Sequence, residues 1–404
     1  LTAPGVLVGL LGAVRELGVD VTLLPAALHR AAEAQRDFQR QLAAIGRRTL
    51  SYGRARQIPI VAVCGSEHVL FDRTVNAGIP GILRQNGVLA LPMDCYPVPG
   101  HVDPVPGVAW ADARRAVRVA LAARETGDVY PLWLSSFGCG PSSFVEQAFD
   151  HLMHGYPHTC LESDGHGGSA GFVTRIQAFL HGVRQYGRKP APTPKRRLAV
   201  IEPVERRPLA ADKGKTLVVA SVGGRLSEVG AASYRALGFD AVPTGPNTSA
   251  TLAAGRSDCS GKECLPYQLV WGAFKERLSE HGAKDSVLVQ VSGQGACRNC
   301  MFTVKDKISL EHQALSDQVK FRHFGAEDDM RMAFQTRFWA GTLANDVLRQ
   351  LWAYHLVLDP GGAEVNALDQ RYGAELIALL ERPAGGRLDA FARWKELLAL
   401  IERA

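Results

Sequence analysis

The sequence predicts an α/β protein with two parallel-sheet halves that face each other across a cleft, and with helical additions at the N- and C-termini. Two observations predict this class. Apolar strands alternate with amphipathic helices, and the alternation stops at a proline-rich, basic segment and then starts again. The predicted first half spans residues 1–186, the linker residues 187–215 and the second half residues 216–404.

The first half begins with a helical segment, since residues 28–56 combine helix-forming composition with helical apolar spacing. Buried strands follow at residues 58–65 and 88–95, and a third begins at residue 129. Amphipathic helices separate these strands. Strand, helix, strand, helix, strand is typical of a parallel sheet.

The second half repeats the pattern after the linker. Strands are predicted at residues 215–224, 240–245 and 286–297, and a helix is predicted to begin at Cys264. The remainder is predicted to be mostly helical, above all residues 328–358.

Composition and charge are those of an ordinary globular protein, with a net charge of +6 spread along the chain. The densest basic stretch lies in the proline-rich linker, which favours a solvated connector over a nucleic-acid surface. No stretch approaches the roughly 20 apolar residues of a membrane span, so we expect no membrane association and a cytoplasmic location. Because an initiator methionine is missing, we also expect the chain to be part of a longer protein.

Eight cysteines are too few for a disulfide scaffold in a chain of this length. One phrase occurs in both halves: an acidic residue, a cysteine and, two positions later, a proline, at Cys95 and at Cys264. A second cysteine follows a later strand in each half, Cys139 in the first and Cys297 in the second. Ligands of open α/β sheets gather at the carboxyl ends of strands, where these residues are predicted to lie.

Several chemistries are open to these cysteines. Structural zinc usually takes paired C-x2-C knuckles, and Cys297 and Cys300 form one such spacing without a second. A redox pair is a further interpretation of the same two residues. An iron–sulfur cluster accepts thiolates distant in sequence and suits scattered cysteines at strand ends better. Inert cysteines are the remaining alternative.

The chain resembles the superfamily of 2-hydroxyacyl-CoA dehydratases and benzoyl-CoA reductases, and most closely its long activase-associated proteins. The matching phrases are "NAGIPGILRQNGVLALPMDCYPV", "SSFGCGPSSF", "CLESDGHGGSAGFVTRIQAFL", "GRSDCSGKECLP" and "GQGACR", in the family's order. The resemblance implies two Rossmann-like halves with a [4Fe–4S] cluster, or a double-cubane relative of it, between them. It implies Cys95, Cys139, Cys264 and Cys297 as ligands. The family usually reads Gly-Pro-Cys-Arg-Phe-Gly at Cys297, whereas this chain has Ala296 in place of the proline and Asn299-Cys300 after the arginine. The role of Cys300 therefore stays open.

Other positions carry weaker hypotheses. Glu162, Asp164 and His166 follow a strand, where one of them would serve as a general acid or base, although such glycine-rich loops are more often closed turns. Cys64 and Cys160 are expected to be core cysteines. Lys262 and Glu263 either line a solvated loop or support the thiolates by charge and by orienting backbone donors.

The resemblance implies an electron-transfer module of a dehydratase or reductase, hence a component of a lyase or an oxidoreductase. Its expected partner is an ATP-hydrolysing activase domain or subunit, with an acyl-CoA as an open substrate class and a homo- or hetero-oligomer as the expected assembly. The chain shows neither a phosphate-binding nor a dinucleotide-binding glycine motif, so we expect no ATP or NAD site in it. The alternative function is a non-catalytic scaffold or regulatory part of a larger activase protein, with a structural metal site or none.

Overall fold

The computed structural model describes residues 4–102, 105–163, 168–188, 190–221, 223–291, 293, 295, 297–324, 331–359, 361–383 and 387–404. The chain forms two compact units. The first comprises Leu1–Pro104, Arg115–Phe137 and Met153–Thr193, and the second comprises Val105–Arg114, Gly138–Leu152 and Pro194–Ala404. Each unit contains one four-stranded parallel sheet with helices around it. This confirms the predicted α/β class with two Rossmann-like halves.

Strands and helices alternate through the first part of the chain, as predicted. In chain order they are α1 (Pro4–Glu16), α2 (Leu24–Arg56), β1 (Ile60–Cys64), α3 (Glu67–Phe71), α4 (Ile79–Gln85), β2 (Leu89–Pro92), α5 (Ala111–Thr126), β3 (Val129–Ser136), α6 (Ser142–Met153), β4 (Thr159–Ser163) and α7 (Ser169–Tyr186).

The second part repeats the alternation and then continues as helices. Its elements are α8 (Lys195–Ala199), β5 (Thr216–Val219), α9 (Leu226–Arg235), β6 (Ala241–Pro243), α10 (Ser249–Arg256), α11 (Leu265–His281), β7 (Ser286–Gln290), α12 (Phe302–His312), β8 (Lys320–His323), α13 (Arg331–Leu358), α14 (Ala363–Glu381) and α15 (Arg387–Arg403). Strand β8 interrupts the region predicted as mostly helical. Among the described residues, no helix combines the length and the apolar character that a bilayer crossing requires.

Both sheets have the same topology. The strand order is β2-β1-β3-β4 in the first unit and β6-β5-β7-β8 in the second, and every pairing is parallel. In each sheet the first strand in the chain therefore lies between the second and the third. The chain goes to one side of the first strand to form the second strand and to the other side to form the third. A crevice forms outside the carboxyl ends of the strands where the direction changes, which is the usual ligand position in open α/β sheets.

The boundary between the units does not follow the sequence order. Helix α6, which the sequence assigns to the first half, lies in the second unit together with the Gly138–Ser142 segment. The predicted linker is also partly folded into the second unit. Its Asp212 is fully buried and accepts hydrogen bonds from Arg207 Nε at 3.0 Å and from Arg322 Nε at 2.8 Å. The arginines hold the pKa of this carboxyl below its usual value against the opposing effect of burial.

Close packing in the first unit depends on glycines of α2. A Cβ atom at Gly46 would lie 1.7 Å from the carbonyl oxygen of Cys95, and one at Gly53 would lie 2.7 Å from Ile60 Cδ1. Real Cβ atoms do not approach other atoms so closely, so only glycine permits α2 to lie against the turn after β2. That turn carries Cys95, and α2 therefore fixes its position.

We predict that Gly46→Ala lowers the free energy of unfolding of the first unit by about 1–3 kcal/mol, because the new methyl group meets backbone that must move. Labelling of the Cys95 thiol should become faster as its turn is displaced. Urea unfolding and peptide mass spectrometry after alkylation measure both effects. In the matched control Gly12→Ala on α1, no atom lies within 4 Å of the added Cβ. That change should leave stability unchanged or raise it by up to about 1 kcal/mol. Equal effects of the two exchanges would contradict the packing argument.

Candidate thiol site of the second unit

Three aromatic rings pack together in the second unit and join three helices. Phe144 of α6 lies 5.3 Å from the Tyr267 ring of α11 and 5.6 Å from the Phe302 ring of α12, and Tyr267 and Phe302 are 5.0 Å apart, between ring centroids. All three side chains are buried. Such aromatic contacts contribute roughly 0.5–1.5 kcal/mol each beyond the area they bury. We call this set the aromatic triad.

The N-terminal end of each of these helices carries a predicted ligand. Cys139 shortly precedes α6, and Cys264 is the N-cap residue of α11, with Pro266 in the first turn. Cys297 is the N-cap residue of a short 3-10 turn, Arg298–Met301, that contains Cys300 and leads into α12. Helix N-termini carry a partial positive charge that favours thiolates. The aromatic triad thus holds together the starts of three helices, each of which is preceded by a predicted cysteine ligand.

Contacts within the second unit also join the loops themselves. A Cβ atom at Gly140 would lie 3.4 Å from Arg298 Cδ, so the loop of Cys139 passes directly beside the turn that follows Cys297. The Ser143 amide donates to the Cys139 carbonyl at 3.1 Å, and the Ser143 hydroxyl donates to the Gly140 carbonyl at 2.7 Å. These bonds close the Cys139 loop onto the start of α6.

Glu263 organises the loop before Cys264. Its side chain is fully buried and accepts hydrogen bonds from the Ser260 amide at 3.0 and 3.1 Å and from the Ser260 hydroxyl at 3.0 Å. Gln147 Nε2 of α6 donates to the same carboxylate at 2.5 Å, and Lys305 Nζ lies 3.7 Å away. Glu263 therefore binds a backbone donor of its own loop and also ties the loop to α6.

Lys262 pairs with a carboxylate of α6. Its ammonium group donates to Glu146 Oε2 of α6 at 2.8 Å. Glu146 is buried, so this ion pair neutralises a carboxylate that would otherwise be costly to bury. Lys262 and Glu263 both act as connections between the Cys264 loop and α6.

The thiols differ in burial. Cys297 is exposed, whereas Cys139, Cys264 and Cys300 are half-buried. Burial raises the pKa of the Cys300 thiol, and the neighbouring Cys297 raises it further, while the Ala109 amide acts in the opposite direction. Burial also raises the pKa of Cys259 to about 12, with Glu263 as the next cause. In the absence of a metal, burial therefore favours the protonated form of both thiols.

Cys95 lies in the first unit, in a short 3-10 turn that directly follows β2. It is buried, and burial together with the adjacent Asp94 raises the pKa of its thiol, against the effect of Arg115. Arg115 Nε lies 3.1 Å from Asp94 Oδ1. Cys95 is therefore at the carboxyl end of a strand, as predicted.

The arrangement of metal-binding side chains bears on whether the site can hold a metal group. Within the described ranges, no three His, Cys, Asp or Glu side chains are placed to hold a metal ion together. Cysteine thiolates are the donors that an iron–sulfur cluster takes. The described cysteine side chains of the second unit, however, are not assembled around a common point. The four-cysteine ligand set stays a prediction.

Of the three residues predicted as a general acid or base, the structure describes one. Glu162 is half-buried in β4, whereas Asp164 and His166 lie outside the described residues. Cys64 is fully buried in β1, and burial raises the pKa of its thiol, which agrees with a core cysteine. Cys160 lies in β4 but is half-buried, because β4 is the edge strand of its sheet.

Asp306 is a buried acid that the sequence analysis missed. It is fully buried on α12, and its Oδ2 accepts from Gln290 Nε2, at the end of β7, at 2.7 Å. Burial raises the pKa of Asp306 to about 7. Aspartate in a helix is normally assigned to the solvent face, and only the folded unit, in which Asp306 contacts Gln290, reveals its burial.

Residues 7–96 match the family model described as the CoA enzyme activase uncharacterised domain. The match runs from α1 to the turn that carries Cys95. This segment is therefore related to CoA enzyme activase proteins, which supports the predicted association with activases in its broad form. Placement in the dehydratase superfamily stays a prediction. No curated protein and no solved structure was found to match the chain.

We predict that Glu263→Gln lowers the free energy of unfolding by about 1–3 kcal/mol, because an amide presents a donor to groups that themselves donate. Alkylation of Cys264 should also become faster. Glu280→Gln is the control, since Glu280 pairs with Arg277 at the surface and its side chain is 56% exposed. It should change stability by less than about 0.5 kcal/mol. Urea unfolding and peptide mass spectrometry measure both; unchanged Cys264 labelling in Glu263→Gln would contradict the positioning role.

Asp306 should make stability dependent on pH. Its pKa rises from an ordinary value of 3.8 to about 7 in the folded protein, so the folded state binds more protons between these values. The stabilisation present below pH 3.8 should therefore be lost progressively as the pH rises to about 7. Asp306→Asn, which keeps an acceptor for Gln290, should remove this component. Urea midpoints measured across this range provide the test, and a constant difference between the two proteins would refute it.

Proposed function

We propose that the chain is an iron–sulfur electron-transfer module of a CoA enzyme activase-associated system, with the cluster bound mainly by the second unit. The observation that carries the proposal is the aromatic triad, since it joins the three helices whose N-terminal ends bear Cys139, Cys264 and Cys297. The relationship of residues 7–96 to CoA enzyme activase proteins supports the partner.

The proposed ligands are Cys139, Cys264 and Cys297, with Cys95 as the predicted fourth and Cys300 as a substitute for one of them. A [4Fe–4S] cluster supplies low-potential one-electron transfer and, with three thiolate ligands, an iron position open to a substrate oxygen. The charge of thiolates would be offset by the three helix N-termini. Glu263 and the Lys262–Glu146 pair hold the Cys264 loop against α6 whether or not a group is bound.

In this proposal the reducing electrons come from an ATP-hydrolysing activase domain or subunit. The reaction served would be a dehydration or a reduction, with an acyl-CoA as the proposed substrate class. Neither Glu162 nor the pair Asp164 and His166 is required for electron transfer, so their acid–base role is a separate hypothesis.

The second candidate is a non-catalytic scaffold within a larger activase protein. The burial of Cys95 and the half-burial of Cys259 and Cys300 favour it, because buried thiols that bind no metal behave as small apolar side chains. The two candidates differ in a simple property. Protein purified without oxygen should be brown and give an electron paramagnetic resonance signal after reduction if it carries a cluster, and should be colourless if it is a scaffold.

We predict that Cys264→Ser removes or destabilises the cluster, because the serine hydroxyl is a harder ligand and is protonated at neutral pH. Iron and acid-labile sulfide should fall to less than about half of the wild-type content, while circular dichroism stays unchanged because the hydrophobic cores are intact. Cys160→Ser is the control, and its iron content should equal that of the wild type. Cys300→Ser decides whether that thiol is a ligand. Full retention of iron in Cys264→Ser would contradict the proposed site.

A further inference from the structure

A cavity of about 520 Å³ lies in the second unit, beside the thiol site. Gly293, which follows β7, and His323, the last residue of β8, both line it. The cavity is therefore at the carboxyl ends of neighbouring parallel strands, where α/β sheets usually bind ligands. Cys300 contributes a further part of the wall.

One part of the cavity wall is apolar and is held by a close contact. It includes Val108, Trp110 and Val204. A Cβ atom at Gly107 would lie 1.8 Å from the carbonyl oxygen of Ile201, so the segment that carries Val108 and Trp110 packs directly on the chain before Val204. Close packing within the unit therefore forms this wall, and the wall offers an apolar surface to a ligand.

Two polar side chains of the cavity have a buried atom with no partner in the described part of the chain. Thr303 is only 5% exposed, and its Oγ1 has no hydrogen-bond partner. His323 Nδ1 is buried in the same way. Burying such groups without partners costs free energy, so each such group needs an explanation. A bound ligand with hydrogen-bonding atoms would supply the missing partners.

An arginine in the wall gives the cavity a group that can pair with an anion. Arg114 lines it and has no carboxylate partner among the residues that the structure describes. Burial lowers the pKa of His323, and the positive charges of Lys307 and Arg206 lower it further, so its ring is neutral and both donates and accepts. One carboxylate, that of Glu202, also lines the cavity. Arg114 is thus the cationic group that the cavity offers to a ligand.

We propose that this cavity binds a small organic acid, with its carboxylate at Arg114 and its apolar body against Val108, Trp110 and Val204. The carboxylate would pair with a guanidinium, which presents donors in the geometry that carboxylates accept. Thr303 and His323 would hydrogen-bond polar atoms farther along the molecule. An inorganic anion would leave the apolar wall uncovered, and a neutral amide would leave Arg114 without a charge partner.

The test uses the full 404-residue chain, with and without bound iron, labelled with fluorotryptophan. Hexanoate is the probe, hexanamide its neutral counterpart and inorganic phosphate the purely ionic one. The fluorine resonance of Trp110, assigned with Trp110→Phe, reports occupancy of this cavity alone. Hexanoate should shift it saturably, whereas hexanamide and phosphate should bind at least about tenfold more weakly.

Arg114→Gln should weaken hexanoate binding at least about tenfold, and Thr303→Val, which keeps the side-chain shape, should weaken a 2-hydroxy- or 3-hydroxyhexanoate more than hexanoate. Arg30→Gln on α2 is the matched control and should bind like the wild type. Absence of a saturable shift, equal binding of hexanamide or phosphate, or an unaffected Arg114→Gln would each overturn the proposal. Binding by iron-free protein separates this result from the outcome of the cluster experiments.

Discussion

The packing of Phe144, Tyr267 and Phe302 is the constraint on which the second unit depends. These rings join α6, α11 and α12, and α6 reaches this unit from a sequence position inside the other one. The aromatic triad holds the starts of the three helices together, and the contacts of Lys262 and Glu263 with α6 add to this for the Cys264 loop. The position of Cys139 near the turn after Cys297 therefore follows from a buried apolar contact rather than from any ligand.

Two buried carboxylates, those of Glu263 and Asp306, act in addition to the aromatic packing of the second unit. Glu263 is satisfied by donors from its own loop and from α6, so its burial strengthens the connection between the two. Asp306 accepts from Gln290, but the effect of burial dominates and raises the pKa of the acid to about 7. One acid thus positions the Cys264 loop, while the other makes the stability of the same unit depend on pH.

The parallel sheets explain why sites gather where they do. In both sheets the strand order changes direction beside the first strand, and the residues that follow the strands meet at one edge. Cys95 follows β2 in the first unit. The cavity at Gly293 and His323 follows β7 and β8 in the second. Cys95 and the cavity thus both lie at strand ends of sheets that have the same topology.

The sequence by itself determined the α/β class, most strands, and the presence of a cysteine near the carboxyl ends of β2 and β3, because apolar alternation and cysteine position are local properties. The sequence did not predict β8, because this short strand lies among helical segments and is stabilised by its pairing with β7. Only the tertiary structure decided that α6 belongs to the second unit and that Glu263 and Asp306 are buried. Those facts depend on contacts between residues far apart in the chain, which no local pattern encodes.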